Sequence, residues 1–221
     1  MKSSFFLKIY LGFTILYLIT LFLHLEGFDL LMKPLLLPIL LTSVIVSENF
    51  PTKKTLLIAL TFSWVGDIIL LFADKGEMYF IFGLVAFLLS HIVYITLFSK
   101  QQNTRTTHNK STIWLGSLAI LIYFIFMITT LFPKLGPLKI PVIVYAIVIT
   151  SMLFVVFKGS LKWAIPANNY ILIGAILFVS SDSILAFNKF YAPITQASFY
   201  IMITYCMAQY FIVAGILKLN K

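Results

Sequence analysis

Eight runs of apolar residues, each long enough to cross about 30 Å of hydrocarbon, follow one another along the chain with only short polar intervals between them. They fall at about residues 5–24, 30–47, 55–73, 78–98, 112–132, 138–157, 168–187 and 196–217. The pattern predicts an all-α, polytopic membrane bundle of eight transmembrane helices. Loops of a few residues make successive helices antiparallel neighbours, so residues 1–221 are expected to form a single transmembrane domain without a soluble one. The longest interval, KQQNTRTTHNKS, is polar. The first run has the basic start of a signal peptide but no small-residue cleavage site, and seven more runs follow it, so it is expected to be retained as a helix.

Composition agrees with the pattern. Hydrophobic residues make up 61% of the 221 positions and charged residues 10%. The mean hydropathy is +1.04. A water-soluble domain of this size is excluded. The formal charge of +9 raises the question of nucleic acid, but the Lys and Arg residues are scattered over short loops and form no basic stripe, so no nucleic-acid partner is expected. Their distribution instead sets an orientation. Lys2, Lys8, Lys53, Lys54, Lys100, Arg105, Lys110, Lys158, Lys162, Lys218 and Lys221 fall on the side of both termini. Lys33, Lys75, Lys134, Lys139 and Lys189 fall on the other, diluted by Glu26, Asp29, Asp74 and Glu77. Basic loops are retained in the cytoplasm, so both termini are expected there. The single cysteine, Cys206, permits neither an intrachain disulfide nor a CxxC motif.

A weak internal similarity accompanies the count. GDIILLF in the third run parallels SDSILAF in the seventh, and the second and sixth runs both open with Lys and Pro (Lys33, Pro34; Lys139, Pro141). The chain reads as two tandem sets of four helices, and because four is even the two halves are expected to be parallel repeats.

Candidate chemistry begins with two acids placed where lipid-facing helices do not tolerate them. Asp67 and Asp182 each interrupt an apolar run, at a cost of roughly 2.5–3.5 kcal/mol on insertion scales, so each is expected to have a partner or a task. Both lie near the non-cytoplasmic ends of their runs and are expected at one level. Ser63 precedes Asp67 by one turn, and Gly66 leaves room beside it for a close neighbour or a ligand. His91 and Tyr94 share a face of the fourth helix, as do Ser198, Tyr205 and Gln209 on the eighth. Lys33 sits where it can reach a carboxylate, although a snorkelling anchor is the plainer role. A zinc site is not expected, because His91 is the one histidine inside a run, with His24 at a boundary and His108 in a loop. There is no GxSxG elbow and no glycine-rich phosphate loop. A pair of carboxyls in a low-dielectric setting remains, one protonated and one ionised, suited to reactions that pass through an oxocarbenium ion.

The phrases SWVGDIILLF, FGLVAFLLSHIVYI, GAILFVSSDSILAFNKF and TYCMAQYFIV resemble the YhhN family of eight-span proteins, which includes lysoplasmalogenases, and the resemblance covers nearly the whole chain. It implies an ether hydrolase that cleaves the vinyl ether bond of a lysoplasmalogen, releasing a fatty aldehyde and glycerophosphoethanolamine or glycerophosphocholine, with no metal or cofactor. Asp67 and Asp182 are then the expected catalytic pair. Lys33, Ser63, His91, Tyr94, Tyr205 and Gln209 are the expected substrate-binding or orienting residues. The alternative is a proton-coupled transporter or lipid flippase that uses the same aspartates as a relay. The expected partners are a lysoplasmalogen or related ether lysolipid and the bilayer, and the expected location is a bacterial inner membrane. Headgroup preference and oligomeric state are not legible.

Overall fold

The structure is a computed structural model that describes residues 2–25, 27–104 and 110–220. Glu26, Arg105, His108 and Lys221, invoked above for charge and ligand counts, lie outside them. The described residues hold eight long helices and no strand: α1 (Lys2–Phe22), α2 (Phe28–Ile45), α3 (Lys53–Leu70), α4 (Glu77–Ser99), α5 (Lys110–Leu131), α6 (Lys139–Ser160), α7 (Ala167–Ala186) and α8 (Ala197–Leu219). Each expected run is a helix. Seven are long and apolar enough to cross a membrane, which makes the chain an integral multi-pass membrane protein. The exception is α3, whose 18 residues carry Lys53, Lys54 and Asp67.

Backbone contacts group the helices into two compact units, one running to Leu97 and the other from Phe98 to Leu219. In the N-terminal unit, α1 and α2 are joined through Gly27, whose φ of +86° is a left-handed conformation that a side chain disfavours. Tyr17 of α1 donates its hydroxyl proton to Asp29 of α2. Within α2, Pro34 and Pro38 remove two backbone donors. The loss of the Pro38 N–H leaves the Pro34 carbonyl without its helical partner. Trp64 of α3 repairs this: its Nε1–H donates to the Pro34 carbonyl at 2.8 Å. Trp64→Phe keeps the ring and removes the donor, and is expected to destabilise the detergent-solubilised protein by about 1 kcal/mol, read as a lower melting temperature. An unchanged melt would show that this carbonyl finds another donor.

α3 ends earlier than the apolar run suggests. After Leu70 the chain tightens, with the N–H groups of Leu71, Phe72 and Ala73 bonding three residues back at 3.3, 3.1 and 3.2 Å, ahead of Asp74, Lys75 and Gly76. Asp67 is therefore only three residues from the helix end, about 4.5 Å along the axis. α3 and α4 pack closely through glycine: a methyl built on Gly66 would meet the Phe87 ring at 2.6 Å, and one on Gly83 would meet Leu70 at 2.5 Å. The space beside Gly66 thus takes a neighbouring ring.

In the C-terminal unit, α5 and α6 meet where the Phe157 ring lies over Gly116, 2.0 Å from where a methyl would stand. Asn168 at the start of α7 donates from Nδ2 to the Ser160 carbonyl at the end of α6, at 2.9 Å. α7 and α8 approach most closely of all, backbone to backbone: Gly174 lies against the Ile212 nitrogen and the Ala208 carbonyl, and Gly215 against the Ile171 nitrogen. Small residues permit this approach where the hydrophobic effect supplies no attraction between helices. α7 ends at Ala186 in a wider π turn, Phe187–Tyr191, fixed by the Ile194 N–H donating to Asn188 Oδ1 at 2.9 Å.

Candidate active site

Asp182 lies on the fifth turn of α7, four residues before the helix end, and is half-buried. Its Oδ2 accepts a hydrogen bond from the Tyr145 hydroxyl of α6. The adjacent Ser183 bonds the Tyr123 hydroxyl of α5. Ser183 has a single proton, and that proton is committed to the Val179 carbonyl at 2.6 Å, so Tyr123 is the donor in the pair. Two helices, α5 and α6, thus meet α7 at two neighbouring residues. Beside them is a cavity of about 60 Å³, lined by Tyr123, Met127, Tyr145, Thr150, Asp182 and Ser183 among others. It has room for water.

Spacing within one helix did not point to Tyr145, Tyr123 or Ser183. Tyr145 is the single hydroxyl in the otherwise aliphatic stretch IPVIVYAIVI, a signal that interfacial and packing tyrosines usually imitate. Tyr205 and Gln209 of α8 are in the same unit and touch each other, with Gln209 Nε2 donating to the Tyr205 hydroxyl at 3.3 Å. Tyr205 also stands edge-on to Phe178, one turn before Asp182 on α7, with ring centroids 5.5 Å apart. Ser181 donates to the Ile201 carbonyl at 3.0 Å and so fixes α8 against the Asp182 end of α7.

The N-terminal unit holds the other expected residues. Asp67 is 2% exposed, and Ser63, His91 and Tyr94 are fully buried. Ser63 shares a hydrogen bond of 2.7 Å with Ser90, which in turn donates to the Ala59 carbonyl at 2.8 Å. The two hydroxyls tie α3 to α4 directly beside His91. Lys33 is half-buried on α2, next to the Pro34 carbonyl that Trp64 occupies.

A family model described as the YhhN family matches residues 28–216, from the first residue of α2 nearly to the end of α8. The chain belongs to the YhhN family. Among curated relatives of this YhhN protein, the human protein named lysoplasmalogenase TMEM86A is 31% identical over 166 residues, covering 72% of this chain and 63% of the relative. The mouse protein named lysoplasmalogenase TMEM86B is 30% identical over 162 residues, covering 72% and 62%. Bovine lysoplasmalogenase TMEM86A is 29% identical, covering 72% and 63%. The match spans a little under two thirds of the length of these relatives. Each is named as a hydrolase, which does not favour the transport reading. No solved structure matches the chain.

Proposed function

We propose that this YhhN protein is a lysoplasmalogenase-type ether hydrolase that acts on the vinyl ether of lysoplasmalogens or closely related ether lysolipids. The reading is carried by the names of its relatives at about 30% identity. What supports it chemically is a carboxyl inside a membrane helix, hydrogen-bonded to a phenol and facing a space of water size.

The reaction adds water across the bond: RCH=CH–O–R′ and H₂O give RCH₂CHO and HO–R′. A carboxylic acid protonates the outer alkene carbon, and the ether oxygen stabilises the cation formed on the inner one. Water adds to that inner carbon and loses a proton, and the resulting hemiacetal collapses with its alcohol leaving. One proton donor and one negative charge near the cation are sufficient. In this reading one of Asp67 and Asp182 is the acid, and the other is the ionised group that stabilises the cation and receives the water's proton. His91, Tyr94, Tyr205, Gln209, Ser63 and Lys33 orient lipid, water or acids. The membrane is that of a bacterium, with both termini cytoplasmic.

Tyr145 enters this scheme as a positioning residue for Asp182. Tyr145→Phe removes one donor from the carboxyl without changing its shape, and is expected to lower aldehyde release about tenfold while leaving KM unchanged. A raised KM with aldehyde release at saturation unchanged, or no effect on either, would assign Tyr145 to packing. The reading as a whole is tested by purified protein given lysoplasmenyl-ethanolamine beside its saturated alkyl-ether analogue. Aldehyde from the vinyl ether alone supports it, and no aldehyde from folded protein sinks it.

A further inference from the structure

Along the face shared by α5 and α6 runs a groove of about 300 Å³, bounded by Ser117, Leu121 and Phe124 on one helix and by Ile147, Thr150 and Phe154 on the other. Phe124 and Thr150 also line the cavity beside Asp182, so the two spaces adjoin. Away from that cavity the groove's lining ends at Ser117 and Phe154, next along the two helices to where the Phe157 ring closes over Gly116. From Tyr145 to Phe157 is about 18 Å along the α6 axis, comparable with the ~15 Å of hydrocarbon in one leaflet.

The groove offers hydrocarbon a suitable wall. Its two serines direct their protons inward to their own helices, Ser117 to the Ile113 carbonyl at 2.6 Å and Ser151 to the Ile147 carbonyl at 2.7 Å. The remaining lining is aliphatic or aromatic apart from Thr150, which stands at the junction with the cavity. Beyond Thr150 a polar headgroup would find no uncommitted donor along it, whereas a tail would lose no hydrogen bond by entering.

Resting on the hydrolase reading, we infer that the α5–α6 groove receives the hydrocarbon tail of the lipid whose vinyl ether reacts at Asp182, and that the Gly116–Phe157 contact sets the longest tail that fits. The vinyl ether joins headgroup to tail, so placing it in the cavity leaves the tail to run through the Phe124–Thr150 junction and down the groove. Ser117 stands one residue from Gly116 at the far end, which makes it the position where added bulk shortens the groove without touching the carboxyl.

Two measurements on the full-length protein test this. In the first, a saturated alkyl-ether lysolipid, which cannot be cleaved, carries a diazirine either at mid-chain or at the chain end. Mid-chain label is expected near Phe124 and Thr150 and end label near Ser117 and Phe154, both suppressed by excess lysoplasmalogen but not by excess diacyl phospholipid. Label elsewhere, or label that diacyl lipid suppresses equally, would overturn the inference and mark the groove as a seat for ordinary bilayer lipid. In the second, Ser117→Phe is expected to lower kcat/KM for an octadecenyl substrate about tenfold relative to a decenyl one, and Phe157→Ala to shift the preference toward longer tails. An unchanged chain-length profile in both variants of an active enzyme overturns the ruler. If wild-type protein releases no aldehyde while the label maps as expected, the hydrolase reading fails and the tail groove stands.

Discussion

Asp182→Asn is expected to reduce aldehyde release from lysoplasmenyl-ethanolamine by about a thousandfold, within the range by which a positioned acid or base contributes to catalysis. The substitution is nearly isosteric, and the amide oxygen can still accept the Tyr145 hydroxyl proton, so the three-helix junction at Asp182 and Ser183 should survive. What disappears is the carboxyl's negative charge and its capacity to carry a proton. Elution of the variant as a single species with an unchanged melting temperature would establish that the loss is chemical. Full activity in such a variant would remove Asp182 from the mechanism. Asp67→Asn supplies the second arm: comparable loss in both variants is what a two-carboxyl mechanism requires, whereas loss in Asp182→Asn alone would confine the chemistry to the C-terminal unit.

The largest expected effect on stability lies at the α7–α8 contact. A side chain at Gly174 would meet the Ile212 nitrogen at 2.9 Å and the Ala208 carbonyl at 3.0 Å, both backbone atoms that cannot swing aside. Gly174→Val therefore has to part the helices, at a cost of about 3 kcal/mol, the upper end for overpacking. For a chain of this length that corresponds to a melting temperature lower by about 10 °C. Gly12→Ala is the matched control, since nothing lies within 4 Å of where its methyl would stand, and its melt should be unchanged or slightly higher. Equal behaviour of the two variants would mean that α7 and α8 are not held at this separation.

The eight helices were legible because lipid imposes a single rule on the chain: long apolar runs, interrupted where the chain turns. Family membership was legible in the phrases around Asp67 and Asp182, and the family model confirms it. The end of α3 was less so, because Leu71, Phe72 and Ala73 are as apolar as the helix before them, and only the three-residue hydrogen bonds reveal the tightening. Gly66 signalled a close approach but did not identify Phe87 as its neighbour. The partner of Asp182 was hidden for a different reason. Tyr145 is 37 residues away on another helix, and periodicity relates residues only along one helix. The groove was hidden most completely: α5 and α6 are apolar on every face, so nothing in their order separates a side that lines a groove from one that merely meets lipid.

The Trp64–Pro34 hydrogen bond bears on how the chain enters a bilayer. While α2 stands alone in hydrocarbon, the carbonyl that Pro38 deprives of its partner has neither water nor backbone to turn to, a penalty of about 1–3 kcal/mol by mutational measures. α3, with Lys53, Lys54 and Asp67, is in turn too charged to be a good guest by itself. Each helix carries a defect that the other mends or shelters, so during biogenesis neither is a complete cargo, and the α2–α3 hairpin is the smallest piece of the N-terminal unit suited to leave the translocation machinery as one.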